Sequence, residues 1–454
     1  MTDAVDAEES PLATLRGYLA LERDVLVLSV AMFAFSLGYQ GTNQYMAEYL
    51  FVLGAGPVVV GIFGSLGNLV AAVYPYPGGV ISDRIGSRRA LTLFGLLSAV
   101  GFAVWAFAGA FGLLRTPAVA VGPLWVPELA FPVGLFVGLF LVQCWKSFGL
   151  GATFAVVKQS VEPERLATGF AATETVRRLA FLVGPLLVAA ALAVYEFEVG
   201  FRLVLGAAAV VALLGTVAQH LLYDAGADSI GKSAESLRDV VGDLRAMPEQ
   251  LPPLLVGDTL VRFANGMVYV FFVVVVSDYL GVGVTLPVVG ELSPEAFFGV
   301  LLAIEMAVAL LSMVPVSRLT SRVGLKPVVA LGFAVYAVFP ALLISAPADA
   351  VTVAGVRVPP SAVLVALFAF SGLRFAGLPA HKALIVGPAE RDAGGRVTGS
   401  YYLVRNVVTV PSAVVGGALY AVSPVVAFGT ASAVGVVGVL LFLVVGEEFD
   451  AVRG

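Results

Sequence analysis

The chain has 454 residues, 59% of them hydrophobic and 13% charged, with a formal net charge of −5. Such a composition is too apolar for a water-soluble globular enzyme and lacks the concentrated positive charge that nucleic-acid binding requires. A single cysteine, Cys144, rules out an intrachain disulfide and thiol-based metal clusters.

Residues 1–24 are acidic and carry no apolar core of a signal peptide, so they are expected to form a cytoplasmic tail. Uncharged runs of about 20 residues, long enough to cross a bilayer, then recur along the chain. The runs are continuous, not alternating, which selects helices over a membrane barrel. Predicted helices 1 to 6 cover 25–50, 57–82, 90–113, 132–158, 166–194 and 202–222. Residues 223–250 follow as a linker, where Leu237, Val240, Val241, Leu244 and Met247 recur at helical spacing among charged neighbours. That pattern predicts an amphipathic helix on the membrane surface. Predicted helices 7 to 12 cover 251–279, 295–316, 327–346, 361–387, 396–420 and 424–446, and 447–454 form a second tail. The expected fold class is all-α and integral to the membrane, with twelve transmembrane helices in two six-helix bundles, 25–222 and 251–446. Most of the 26 Lys and Arg fall on the side of the two tails, whereas the opposite loops hold Arg115, Arg202 and Arg357. Both termini are therefore predicted to be cytoplasmic.

The halves repeat one another. One displacement pairs Gly38 with Gly266, Lys146 with Arg374, Gly149 with Gly377 and Arg177 with Arg405. Another, ten residues longer, pairs Gly61 with Gly299, Arg84 with Arg322, Gly86 with Gly324 and Arg88 with Lys326. Two homologous halves in parallel orientation, with a site between them near the midplane, are a recurring transporter arrangement.

The polar hinge Gly79–Leu91, GVISDRIGSRRAL, joins helices 2 and 3, and SRLTSRVGLKPVV from Ser317 is its fainter copy. It resembles the signature loop G-x-x-x-D-R-x-G-R-R of the major facilitator superfamily of secondary transporters, matching at Gly79, Asp83, Arg84, Gly86 and Arg88, with Ser87 in place of an arginine. The resemblance extends over nearly the whole chain through the twelve helices and their 6+6 symmetry. It implies alternating access, a cytoplasmic gate built from Gly79, Asp83, Arg84, Gly86, Arg88, Arg322, Gly324 and Lys326, and a central cavity lined by helices 1, 4, 7 and 10. The family's helix 4 pattern, R-x-x-Q-G-x-G, is partly present: Gly149 and Gly151 place its arginine at Trp145, with Lys146 one residue beyond.

Within those helices, Tyr39 and Asn43 share a face of helix 1, and Asp258, Arg262, Asn265 and Tyr269 form one stripe of helix 7. Helix 4 offers Gln143, Lys146 and Thr153; helix 10 offers Arg374 and His381, the latter expected near water at the cytoplasmic end. Six cations, Lys146, Arg177, Arg178, Arg262, Arg374 and Arg405, lie within spanning segments against Glu174, Asp258 and Glu305. Each charge at that depth costs roughly 2.5–3.5 kcal/mol and needs a partner or a wet cavity. An anionic solute would supply the missing negative charge, bound by Lys146 and Arg374 with Arg177, Arg262 and Arg405, in a pocket shaped by Tyr39, Asn43, Asn265 and Tyr269. The alternative is structural: Asp258 with Arg262 and Glu174 with Arg178 as i,i+4 pairs, and Lys146 or Arg374 in a cross-helix pair with Glu305. Coupling to a proton requires a titratable group, for which Glu305 and Asp258 are the candidates.

The expected partners are the lipid bilayer, a small-molecule solute and a coupling proton or ion, without cofactor, metal or nucleic acid, in a monomer of the cytoplasmic membrane. No enzyme motif is present. The competing readings are a multidrug or hydrophobic-solute exporter and, in another class, a non-transporting receptor or scaffold on the same fold.

Overall fold

In hydrocarbon the backbone can bond only to itself, and the computed structural model is accordingly helical through the apolar segments. It describes residues 23–121, 124–126, 128–149, 166–224, 248, 251–287, 290–353, 355–386 and 394–447. The predicted linker helix, Thr153, both chain ends and the last third of predicted helix 4 lie outside the described residues.

The amino-terminal half contains α1 (Arg23–Asn43, resuming as Met46–Val52), α2 (Pro57–Val73 and Pro75–Ile85) and α3 (Ser87–Ala106). It continues with α4 (Val133–Gln143, running into a π-helical turn at Cys144–Phe148), α5 (Leu166–Leu192) and α6 (Phe197–Leu222). The other half contains α7 (Leu251–Val268, extended by irregular turns to Tyr279), α8 (Pro294–Val323) and α9 (Leu325–Ile344). It closes with α10 (Pro360–Gly372, a 3-10 turn at Leu373–Phe375, then Leu378–Val386), α11 (Gly394–Thr409 and Ser412–Val422) and α12 (Pro424–Val445). Among the described residues nine helices are long and apolar enough to cross a membrane, and α2 makes ten when its two parts, bent by 42°, are taken as one span. The bend falls at Tyr74–Pro75, where proline removes a helical donor. The remaining two predicted spans are α4, whose continuation is not described, and α5, which carries Arg177 and Arg178.

Four two-stranded hairpins sit in the loops opposite the signature hinge, an addition to the all-helical expectation. β1 (Leu113–Thr116) pairs with β4 (Leu129–Pro132), and β2 (Val119–Val121) with β3 (Leu124–Val126). β5 (Val284–Leu286) pairs with β6 (Gly290–Leu292), and β7 (Val351–Val353) with β8 (Val356–Val358).

The repeat is visible in the two hinges. Gly86 and Gly324 end α2 and α8 with φ of 83° and 89°, a conformation that strains any residue with a Cβ. Just beyond each glycine, a cation ties the next helix to the last helix of its own half: Arg88 Nε donates to the His220 carbonyl at 2.7 Å and Lys326 Nζ to the Leu443 carbonyl at 3.0 Å. Side chains at the carboxy-terminal end of a helix suit positive charge.

At the ends opposite the signature hinge the halves are in contact. Gly61 of α2 lies so close to α11 that a Cβ there would overlap the Ala413 carbonyl oxygen, and Ser65 Oγ accepts a bond from the Val414 amide at 3.0 Å. Tyr45 donates to the Glu295 carbonyl at 3.2 Å, and Ser277 Oγ lies 2.9 Å from Glu48 Oε2. The side opposite the signature hinge is therefore closed.

Candidate functional site

A cavity of about 350 Å³ lies between the halves, bordered by α1, α2, α4, α7 and α11. A second compartment of about 220 Å³ adjoins it, bordered by α1, α5, α7, α8 and α10. Gln40, Gln44 and Tyr269 border both, and the Gln44 amide donates to the Tyr269 hydroxyl, a bar from one half to the other. The expected lining helices 1, 4 and 7 border the larger compartment, whereas α10 borders the smaller one.

Lys146 projects into the larger compartment from the π-helical turn of α4. A π turn accommodates one extra residue, and here the neighbouring Trp145 packs inward, stacked on Phe35 at 4.3 Å with its indole N–H bonded to Gln219. The one-residue offset from the family's helix 4 pattern thus coincides with a local change of helix register. Lys146 Nζ lies 3.9 Å from the centre of the Tyr39 ring and makes no ion pair among the described residues. A cation over an aromatic face is held without being neutralised.

Across the cavity, α7 and α11 contribute Arg262 and Arg405. Behind them, fully buried Asp258 lies 3.3 Å from Arg262 and 3.2 Å from Arg405, and accepts a bond from the Tyr401 hydroxyl at 3.1 Å. Arg262 also donates to Tyr336 at 2.7 Å. His381 is a correction to the expectation of a solvated histidine. It is buried, with Nε2 3.2 Å from Asp258 and its ring packed against Phe333 and Tyr401 at 5.7 and 6.2 Å. One carboxylate therefore serves two guanidiniums. No Asp or Glu among the described residues borders the larger compartment.

Arg374 is paired with Glu305 at 2.6 Å, both almost wholly buried, and Ser371 Oγ donates to the same carboxylate at 2.7 Å. The rings of Phe375, Tyr336 and Tyr269 surround the guanidinium at 4.8, 5.1 and 5.6 Å. Its Nε and Nη1 have no hydrogen-bond partner among the described residues, and aromatic faces surround them. Arg374 borders neither compartment; Glu305 borders the smaller one with Arg177 and Arg178, and Arg178 Nη1 lies 3.0 Å from Met313 Sδ. Lys146 and Arg374, repeat-equivalent in sequence, thus occupy equivalent helix breaks but different surroundings.

Tyr39, Asn43, Asn265 and Tyr269 border the larger compartment. Of the hinge residues, Asp83 and Arg84 make no hydrogen bond or ion pair among the described residues, Arg322 is exposed, and Gly79 lies within the second part of α2. The Glu174 side chain lies outside the described residues. Glu48 escapes sequence reasoning. It lies just beyond the polar cluster of helix 1, and its contact with Ser277 comes from the other half of the chain.

Two six-helix halves, related by a repeat and enclosing a polar cavity, define the class: a multi-spanning membrane protein with the fold of the major facilitator superfamily. Comparison with known proteins agrees. No family model matches the sequence. The uncharacterised MFS-type transporter MJ1317 of Methanocaldococcus jannaschii is 18% identical over 429 residues, covering 93% of this chain and 95% of that protein. Among solved structures, a point mutant of the nucleoside transporter NupG superposes with a TM-score of 0.71 at 13% identity, covering 93% of this chain and 100% of that one. A POT family transporter in complex with 5-aminolevulinic acid gives 0.68 at 15% identity, covering 94% and 96%. The chain is a multi-pass membrane protein with the fold these transporters share.

Proposed function

We propose that this chain is a secondary transporter that carries a small anionic solute across the cytoplasmic membrane by alternating access, coupled to a proton or another ion. The observation that carries this reading is the charge around the larger compartment: Lys146, Arg262 and Arg405 border it, Asp258 behind them is shared, and no described carboxylate faces it.

Lys146 belongs to one half and the two arginines to the other. Like charges facing across a gap oppose its closure, by roughly 1 kcal/mol per pair at 4 Å in water and about four times that at the effective permittivity of a protein surface. An anion between them replaces repulsion with attraction from both sides. Solute binding then draws the halves together, and the same contact lowers the barrier to reopening on the opposite face. In this structure the outer contacts are made and Asp83 and Arg84 are unpartnered among the described residues, so these two are available to latch the cytoplasmic side in the alternate state. Glu305 is the proton carrier in this reading: ionised it holds Arg374, protonated it releases it, and Tyr269 links that pair to the solute compartment.

The test is a thermal-shift panel of purified protein against solutes sorted by charge. Stabilisation by small anions is expected. Stabilisation by lipophilic cations in their place would overturn the reading in favour of hydrophobic-solute export.

A further inference from the structure

The larger compartment is bordered by more than its cations. Gln40 and Asn43 of α1, Asn68 of α2 and Asn265 of α7 face it, and none of the four side chains makes a hydrogen bond among the described residues. Other amides in the same lining are already engaged. Gln44 is bonded to Tyr269, Gln143 donates to the Gly67 carbonyl at 3.1 Å, and Asn406 accepts from Arg405 at 3.1 Å. The four unengaged carboxamides thus stand apart from those that hold the walls together. Each has two donors and a two-lone-pair acceptor. An inorganic anion needs donors alone, and the cations supply them. A fatty-acid tail needs neither donor nor acceptor. Neutral groups that both donate and accept match hydroxyls, which do the same.

Volume agrees with this. At about 30 Å³ per water molecule, 350 Å³ corresponds to roughly twelve. A bare oxyanion would leave most of that space to water, whereas a five- or six-carbon polyol takes up a far larger share of it and still leaves room for bridging waters.

Resting on the anionic reading above, we infer that the solute is a compact polyhydroxylated anion, its charged group between Lys146 and the Arg262–Arg405 pair and its hydroxyls on the free carboxamides of both halves. The shared chemistry of this class is a chain or ring of vicinal hydroxyls bearing one carboxylate or phosphate. Discrimination follows from the same groups. A site that hydrogen-bonds hydroxyls rejects an analogue lacking them, because its own buried polar atoms are left unpaired.

The experiment uses the full-length purified protein and five probes: gluconate, glucose 6-phosphate, glucose, hexanoate and sulfate. Binding is read by thermal shift and by calorimetric titration. The inference expects gluconate or glucose 6-phosphate to bind at least tenfold more tightly than hexanoate and sulfate, and the better of the two identifies the charged group. Equal binding of hexanoate or sulfate overturns the inference and leaves the anionic reading intact. Glucose binding as tightly as gluconate overturns both, and binding of none of the five overturns the inference. A second arm compares Asn43→Leu and Asn265→Leu, each expected to weaken polyol-anion binding about tenfold while leaving hexanoate affinity unchanged. Equal losses for both ligands would mean a general disturbance of the cavity and would count against the carboxamide role.

Discussion

Replacing Glu305 by leucine isolates the buried Arg374 guanidinium. The two side chains, Arg374 and Glu305, are 1% and 5% exposed and 2.6 Å apart, so solvent screening does little to soften the effect. Breaking a buried pair by removing one partner costs roughly 3–5 kcal/mol, since the remaining charge is left uncompensated. The aromatic rings around Arg374 replace part of that loss, which places Glu305→Leu near the lower end, about 3 kcal/mol. Arg374→Met is expected to cost less, roughly 1–3 kcal/mol, because the carboxyl left behind can take up a proton and keep its bond with Ser371. The double variant places two apolar groups among Phe375, Tyr336 and Tyr269 and is expected to lie within about 1–2 kcal/mol of wild type. The assay is denaturant unfolding in micelles followed by tryptophan fluorescence, run as a double-mutant cycle. A Glu305→Leu cost below about 1 kcal/mol, or a double variant whose loss equals the sum of the singles, would refute the argument that this pair is mutually dependent.

Other expectations concern the movement between states. Gly61→Ala places a methyl on the Ala413 carbonyl and should part the outer ends of the halves. Overpacking of roughly 1–3 kcal/mol would raise the labelling rate of an Ala47→Cys reporter, in a Cys144→Ser background, by about tenfold; an unchanged rate contradicts the outer closure. Ser277 Oγ has one proton and two acceptors, Glu48 at 2.9 Å and the Val273 carbonyl at 3.0 Å, so a neutral Glu48 can complete both bonds by donating. Labelling of the same reporter is therefore expected to rise with the pH on the side opposite the signature hinge in wild type and to stay flat in Glu48→Gln; parallel pH profiles would count against that role. Asp83→Asn is expected to lower transport rate more than apparent affinity, as judged from proteoliposome uptake at varied solute concentration, and equal losses would argue against a latch.

The fold is largely legible in the sequence because the bilayer imposes it: long uncharged runs, hinge glycines and the internal repeat each leave a local mark. Gly86 and Gly324 are readable as hinge ends, and the structure gives both a positive φ. The hairpins are not, although Val351–Val358 alternates around Gly355, because short outer loops carry too few residues for periodicity to decide. At the site, the i,i+4 contact between Asp258 and Arg262 follows from spacing alone, and Glu305 is the acid that the charge inventory offers to Arg374. The convergence of Arg405, Tyr401 and His381 on Asp258 has no such signal. It depends on how α10 and α11 pack against α7: Pro379 marks a bend in α10, but a bend does not say which neighbours His381 meets. The exposure of Lys146 to the cavity likewise depends on the π turn at Cys144–Phe148.

At the centre of the proposed mechanism is an anion held between Lys146 and the two arginines opposite. Its most direct test is calorimetric titration of the tightest-binding anion from the charge-sorted panel into wild type and Lys146→Met. A hydrogen bond to a charged group contributes roughly 1.5–3 kcal/mol, so affinity is predicted to fall by about tenfold or more in the variant while its melting temperature without solute is retained. Unchanged affinity in a folded Lys146→Met protein would contradict the claim.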